Sequence, residues 1–235
     1  MNVLIACEES QVVCKAFREK GHRAFSCDIQ ECSGGHPEWH IVGDVLPLLN
    51  GRCEFTLQDR QTDRQTDRWD LIIAHPPCTY LTNCATRSFS LRCTSAEKVI
   101  ARWEQRAIAA VFFMRFVGAD CDRIAIENPV GFMTKAYRKP DQYINPWMWA
   151  EDENDSENYH SKKTGLWLKG LPLLKGNGKF DSFDCSIYGQ YSSGKNKTWE
   201  DMGHGSKNRS KTFPGIAKAM ADQWGQIGGD MYDKH

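Results

Sequence analysis

Two short motifs contain the residues best suited to catalysis. Residues 75–78 read His-Pro-Pro-Cys, and about fifty residues further on, residues 127–129 read Glu-Asn-Pro. A cysteine thiolate is a strong nucleophile, and a carboxyl group can donate or stabilise a proton in the same reaction. The two prolines would stiffen the loop that aims the thiol. Cys78 is therefore a candidate nucleophile and Glu127 a candidate acid partner.

These motifs resemble those of the cytosine-C5 methyltransferase family, whose nucleophile motif is Pro-Cys and whose partner motif begins Glu-Asn. The resemblance covers residues 1–135 and, more loosely, residues 211–218, which are similar to the family's last cofactor-side segment. The whole chain looks like the short phage or prophage members of the family. The resemblance implies a protein of the bacterial host's cytoplasm that uses S-adenosylmethionine to methylate C5 of cytosine, with no metal.

The chemistry of cytosine explains why such an enzyme needs a thiol and a carboxyl group. C5 is a poor nucleophile, so a thiolate first adds to C6, which makes C5 enamine-like and able to accept a methyl group. Glu127 would stabilise the charge that develops at N3, with a pKa raised by burial. After methyl transfer, the C5 proton is removed and Cys78 is expelled.

The resemblance also implies that S-adenosylmethionine binds in the crevice beyond the first strands. Asp28 matches the acid that binds the ribose hydroxyls, and Asp44 matches the acid near the adenine amino group. The chain departs from the family at residues 6–10, which read Ala-Cys-Glu-Glu-Ser in place of Phe-x-Gly-x-Gly. The predicted cofactor contacts are Ala6, Cys7, Glu8, Ser10, Asp28, Ile29, Asp44, Val45, His75 and Pro76.

Two substrates fit the resemblance, cytosine in DNA and a free cytidine mononucleotide (CMP or dCMP). Enzymes of this family that act on duplex DNA flip out the target base and carry a separate recognition domain. Here only residues 171–208, about forty residues rich in Gly, Ser and Asn, are available for substrate recognition. Because so short a segment cannot form an independent core, this region is predicted to be reduced, and DNA remains the first prediction. The predicted substrate contacts are Pro77, Thr79, Tyr80, Asn128, Pro129, Lys163, Arg209 and Lys211.

Charge and motif details leave two other functions open. Lys and Arg together number 30, as do Asp and Glu, so the chain carries no net charge that would indicate DNA binding. The altered first-strand motif favours one alternative, a catalytically inactive methyltransferase-fold protein that binds nucleic acid or a host enzyme. An amino-group methyltransferase fits less well, because the aromatic residue that should follow Pro-Pro directly is Tyr80, two places late.

The elements that must position these residues are typical of an α/β protein. Short apolar runs separated by amphipathic segments predict a mostly parallel sheet flanked by helices, similar to a Rossmann fold. Ser10 is predicted to cap the first helix, which ends at Gly21. Ligands bind beyond the carboxyl ends of parallel strands, so Asp28, Asp44, Cys78 and Glu127 would share one rim. Strands are predicted at residues 3–6, 24–29, 40–45, 69–74, 123–129 and 164–168, and later helices at 96–117 and 216–224.

The whole chain, residues 1–235, is predicted to be a single methyltransferase domain. Residues 1–135 would form the cofactor-binding and catalytic core, and residues 209–225 a C-terminal helix that packs back on it. Residues 59–68 repeat Asp-Arg-Gln-Thr without an apolar member, which predicts an exposed surface insertion.

The composition places the chain among ordinary folded proteins, with 40% hydrophobic and 26% charged residues. No apolar run approaches the roughly 18 residues of a membrane span, and the first residues lack the pattern of a secretory signal. The ten cysteines are therefore predicted to be reduced thiols. The oligomeric state is left open.

Overall fold

The computed structural model describes residues 1–202 and 211–226 and is built around a seven-stranded sheet. The six predicted strands are confirmed, and β4, β5 and β8 are additional short strands that the apolar pattern did not indicate. The described residues form β1 (Asn2–Ala6), β2 (Arg23–Asp28), β3 (His40–Val42), β4 (Cys53–Thr56), β5 (Thr62–Gln65), β6 (Leu71–Ala74), β7 (Ile124–Pro129), β8 (Gln142–Ile144) and β9 (Thr164–Lys169).

The sheet has the order β3-β2-β1-β6-β7-β9-β8. The strands from β3 to β7 in that order run parallel, whereas β9 runs antiparallel to both of its neighbours. The chain thus winds outward from β1 to one edge and returns to β6 to build the other half. The prediction of an α/β fold with a mostly parallel sheet is confirmed, and the order is compatible with a Rossmann-like fold. The strand order reverses between β1 and β6, where a ligand crevice is expected at the carboxyl ends.

Helices cover both faces of the sheet. Alternate residues of β1 point to opposite faces, so Val3 and Ile5 join the core beneath the first and last helices, while Leu4 and Ala6 join the core on the other face. The helices are α1 (Val12–Glu19), α2 (Ala96–Val117), α3 (Met133–Ala136) and α4 (Pro214–Trp224). The helices predicted at 96–117 and 216–224 are confirmed, and none of the described helices is both long and apolar enough to cross a membrane.

The Asp-Arg-Gln-Thr repeat, which was predicted to be an exposed surface insertion, contributes a strand. β5 lies within it and pairs with β4 as an antiparallel hairpin beside the main sheet. Gln65 is only 1% exposed, and its Oε1 accepts a hydrogen bond of 2.8 Å from Arg23 Nη1. The predicted exposure of the repeat is therefore wrong at Gln65, where a polar side chain is buried because its partners satisfy it.

The described part of the predicted substrate-side region, residues 171–202, contains no α-helix or β-strand and only two short 3₁₀ turns. It is fastened to the body of the protein: Trp224 Nε1 donates to Pro172 O, and Leu174 N donates to Gln142 Oε1. Leu174 is buried in the core shared with α1 and α4. This segment therefore relies on the main core for its order. Residues 203–208 of the region lie outside the described residues.

Candidate active site

The centre of the candidate site is a contact between the two motifs. Ala74 of β6 is paired with Ile126 of β7, so the residues that follow them, His75 and Glu127, lie at the same level of the sheet. His75 Nδ1 is 3.2 Å from Glu127 Oε2, and the two side chains are 8% and 17% exposed. The parallel register thus brings a titratable ring and a carboxylate together in a largely dry position.

The surroundings of Glu127 lower its pKa. Burial alone would raise the pKa of Glu127, but a hydrogen bond and positive charge from His75 oppose it, together with the charge of Lys162 and a hydrogen bond from Thr164. These contacts outweigh burial, so the pKa of Glu127 lies below its ordinary value. The predicted upward shift is wrong, because the sequence pattern shows the burial of a strand but not the donors around it. Glu127 is ionised at neutral pH in the free protein.

The loop that bears Cys78 is fastened to β7. Asn128 is 2% exposed, and its Nδ2 donates a hydrogen bond of 2.7 Å to Pro76 O. At the other end, Cys78 O accepts hydrogen bonds of 2.9 Å from the backbone N–H groups of Leu81 and Thr82. Cys78 itself is half-buried at the start of this turn. The amide of Asn128 therefore shapes the pocket by holding the loop.

The far end of the loop rests on α2 through two arginines that sequence reasoning missed. Arg106 Nε donates a hydrogen bond of 2.8 Å to Tyr80 O, and the Arg102 guanidinium lies 5.3 Å from the centre of the Tyr80 ring. Arg106 is buried among apolar positions of the sheet-facing side of α2. A charged residue in that apolar stripe is the signal that could have identified it. Of the neighbouring predicted contacts, Pro77 and Thr79 are exposed and Tyr80 is half-buried.

The turn after β1 follows an unusual backbone path without glycine. Cys7 has a φ of 59° and Gln11 also has a φ of 59°, in the left-handed region that L-residues adopt at a cost of about 1 kcal/mol each. Burial raises the pKa of the Cys7 thiol, and the charges of Asp28 and Asp44 raise it further. Both carboxylates therefore lie within electrostatic reach of this turn, as expected for one rim.

Glu8 caps α1, and this corrects two predictions. Its Oε1 accepts a hydrogen bond of 2.6 Å from Val13 N, and its Oε2 accepts one of 3.2 Å from Cys14 N. Glu8 is only 4% exposed, so its carboxylate is committed to the helix terminus and not to a cofactor. Ser10 is not the N-cap, because α1 begins at Val12 and the amides at its start are satisfied by Glu8. A carboxylate near a helix N-terminus is also favoured by the helix dipole.

The two predicted adenosine-binding acids lie on turns beyond β2 and β3. Asp28 Oδ1 accepts a hydrogen bond from Gln30 N, and Asp44 Oδ1 accepts one from Leu46 N. The second carboxylate oxygen of each residue has no hydrogen-bond partner among the described residues. Ile29, directly after Asp28, is 79% exposed. Val45 is buried. Ala6 is also buried, at the end of β1, and its carbonyl oxygen accepts a hydrogen bond of 2.9 Å from His75 N.

Among the predicted basic contacts that the structure describes, Lys163 is not seen to act on Glu127. Lys163 is exposed, with its Nζ 4.6 Å from the centre of the Tyr143 ring, whereas the charge of the preceding Lys162 acts on Glu127. Thr164 is paired with Pro129 at the end of β7, so the lysines that precede Thr164 extend past that rim. Lys211 is half-buried. Arg209 lies outside the described residues.

The described residues contain no group of three or more His, Cys, Asp or Glu side chains placed to share a metal ion. The chain matches no protein-family model, and it shows no significant similarity to a curated protein. The functional assignment therefore depends on the two motifs and on the geometry that unites them.

Proposed function

We propose that the chain is an S-adenosylmethionine-dependent cytosine-C5 methyltransferase in which Cys78 is the nucleophile. The observation that carries the proposal is the β6–β7 register, which brings the loop bearing Cys78 and the carboxylate of Glu127 to adjacent strand ends. The bond from Asn128 to Pro76 O holds that loop in place. Addition to C6 of a pyrimidine requires a positioned thiol and an acid partner, the two residue types that this loop and the end of β7 supply.

The proposed reaction begins when the Cys78 thiolate forms a bond to C6. The electrons of the C5–C6 double bond move toward C4 and N3, and N3 takes up a proton. The cofactor, when bound, supplies an electrophilic methyl group to C5. Loss of the C5 proton then restores the C5–C6 double bond and releases Cys78 as a thiolate, and N3 returns its proton to the His75–Glu127 pair. Glu127 acts at N3, where a fixed partner lowers the energy of the charge that develops.

The proton for N3 is held by His75 and Glu127 together. Glu127 is ionised in the free protein, so it cannot donate a proton unless it first gains one. His75 Nδ1 is within hydrogen-bond reach of Glu127, and His75 Nε2 is buried with no hydrogen-bond partner among the described residues. The pair can therefore pass one proton between ring and carboxylate as the base binds. His75 is thus proposed as a positioning and proton-holding residue and not as a cofactor contact.

The residues on the rim fit the adenosine part of S-adenosylmethionine. Asp28 has a carboxylate oxygen with no partner in the described part of the chain, which suits a ribose diol, and Ile29 presents an open apolar surface to a base. Asp44 adds a second acceptor on the same rim. Glu8 supplies no contact to the methionine part, because its oxygens bind the start of α1. We assign the adenosine part to Asp28, Ile29 and Asp44.

Cytosine in DNA is the proposed substrate, and a free cytidine mononucleotide is the second candidate. The second candidate is favoured by a specific observation: residues 171–202 have no core of their own, so the described chain offers no separate recognition domain. The equal numbers of basic and acidic residues also give no general attraction to phosphates. Two substrates must therefore be compared directly.

The test is transfer of labelled methyl from S-adenosylmethionine to duplex DNA of mixed sequence and, in parallel, to CMP and dCMP. Cys78→Ala is the test variant, and Cys185→Ala, at an exposed cysteine, is the matched control. We expect label in DNA that is lost in Cys78→Ala and kept in Cys185→Ala. Label in the mononucleotide alone would replace DNA by the second candidate. Absence of label in both substrates would overturn the enzymatic assignment and favour a binding protein.

A further inference from the structure

α2 has apolar residues on two opposite sides. One side packs on the sheet through Val99, Phe113 and Phe116. The opposite side is open: Ile100, Ile108, Val111 and Met114 are 59%, 61%, 58% and 39% exposed. A helix that flanks a sheet ordinarily turns polar residues outward. An outward row of large apolar residues along α2 is therefore a candidate interface.

Two charged residues lie on either side of Ile108 and Val111, at the centre of this row. Glu104 and Arg115 lie on the same outward side, and neither forms an ion pair with a residue in the described part of the chain. Along the sequence, Glu104 and Arg115 are equally far from the point between Ala109 and Ala110. Ile108 and Val111 are also equally far from that point. In an antiparallel pair of helices related by a two-fold axis through that point, each residue meets its mirror position on the other helix.

We propose that the outward face of α2 binds the same face of a second copy of this chain in a two-fold symmetric, antiparallel contact. Glu104 then faces Arg115 of the partner subunit, and Ile108 faces Val111 of the partner subunit. Because the axis makes each contact occur twice, the interface contains two such charge pairs around one apolar centre. Charge complementarity of this kind fixes both partner and register.

The surface beside α2 also suits this occupant. A shallow groove between α2 and α3 is lined by Ala110, Val111, Met114, Arg115, Met133 and Ala136. An apolar side chain from a facing helix can enter such a groove as a knob between ridges. Each copy thus offers both the knob and the groove, which a symmetric interface requires.

The first test is sedimentation of the full chain over a range of concentrations. We expect a reversible dimer for the wild type. Ile108→Asp, which places two carboxylates at the apolar centre, should weaken dimerisation by about 100-fold or more. Leu173→Asp, at another exposed apolar position, is the matched control and should leave the dimer unchanged. A monomer for the wild type, or an unaffected dimer for Ile108→Asp, would overturn the proposal.

The second test uses the charges and identifies the register. Glu104→Arg and Arg115→Glu each create two like-charge pairs in the dimer, so each variant alone should dimerise about tenfold more weakly. An equimolar mixture of the two variants should regain the dimer as a mixed species, because the two introduced side chains, of opposite charge, then face each other across the interface. Failure of the mixture to associate would contradict the antiparallel register. Both readouts are independent of methyl transfer.

Discussion

His75 and Glu127 touch across two neighbouring parallel strands, with 3.2 Å between Nδ1 of the ring and Oε2 of the carboxylate. His75 directly follows the apolar β6 and Glu127 is the first polar residue of β7, so the strand register sets them side by side. The contact lowers the pKa of Glu127 despite its burial. In the proposed reaction, the acid partner is therefore this pair of residues.

Replacement of His75 tests this pairing. In His75→Ala, Glu127 loses a hydrogen bond and a positive charge while it stays buried, so the pKa of Glu127 should rise. Methyl transfer should fall by about 100-fold, in the range of general acid–base effects, and its pH profile should shift. Titration of the Glu127 carboxyl by NMR measures the pKa directly. An unchanged Glu127 titration would contradict the pairing.

The lowered pKa of Glu127 also predicts how stability depends on pH. A carboxyl group whose pKa is lower in the folded than in the unfolded state stabilises the fold above its unfolded pKa of about 4.3, and this contribution disappears as pH falls through the folded pKa. In urea unfolding, the stability difference between the wild type and Glu127→Gln should therefore shrink as the pH falls below about 4.3 and through the folded pKa. A stability difference between the wild type and Glu127→Gln that grows as the pH falls would contradict the lowered pKa of Glu127.

Asn128→Ala should affect both stability and activity. Removal of the amide leaves the buried carbonyl of Pro76 without its donor, which costs about 1–3 kcal/mol. The loop that carries Cys78 would also lose its attachment to β7. We expect lower stability in urea unfolding and at least a tenfold loss of methyl transfer at a temperature where the variant is folded. Full activity in a destabilised variant would show that the loop does not need this anchor.

Glu8 and Asp28 should separate structural from cofactor roles. Glu8→Gln removes one of the two acceptors at the start of α1 and should cost about 1 kcal/mol of stability, with cofactor affinity within a few-fold. Asp28→Asn should leave stability nearly unchanged and weaken S-adenosylmethionine binding about tenfold or more. Calorimetry and urea unfolding of both variants measure the two effects. The reverse pattern would restore Glu8 as a cofactor contact.

The strands and long helices could be predicted because hydrophobic spacing reports which side of an element is buried. β8 was missed, since Gln142–Ile144 is too short to show a periodic pattern. The cap of α1 was missed because Glu8 reaches across a turn that the local Ser10 signal does not describe. The pKa of Glu127 was predicted with the wrong sign, because the hydrogen bond and charge of His75 lower it, helped by Lys162 and Thr164 at and just before the start of β9, far along the chain. Residues that share a strand end were predictable, whereas side chains brought in by an antiparallel neighbour were not.

The most direct test of the account is covalent capture of Cys78. Duplex DNA in which 5-fluorocytosine replaces cytosine is incubated with the protein and S-adenosylmethionine. Release of Cys78 requires the loss of a proton from C5. A fluorine atom in place of that hydrogen cannot be removed in this way, so after methyl transfer the enzyme should remain bound through the sulfur of Cys78 to C6. We predict a stable adduct that mass spectrometry places on Cys78 in the wild type and in Cys185→Ala and that is missing in Cys78→Ala. An adduct on another cysteine, or methylated DNA without any adduct, would contradict the mechanism.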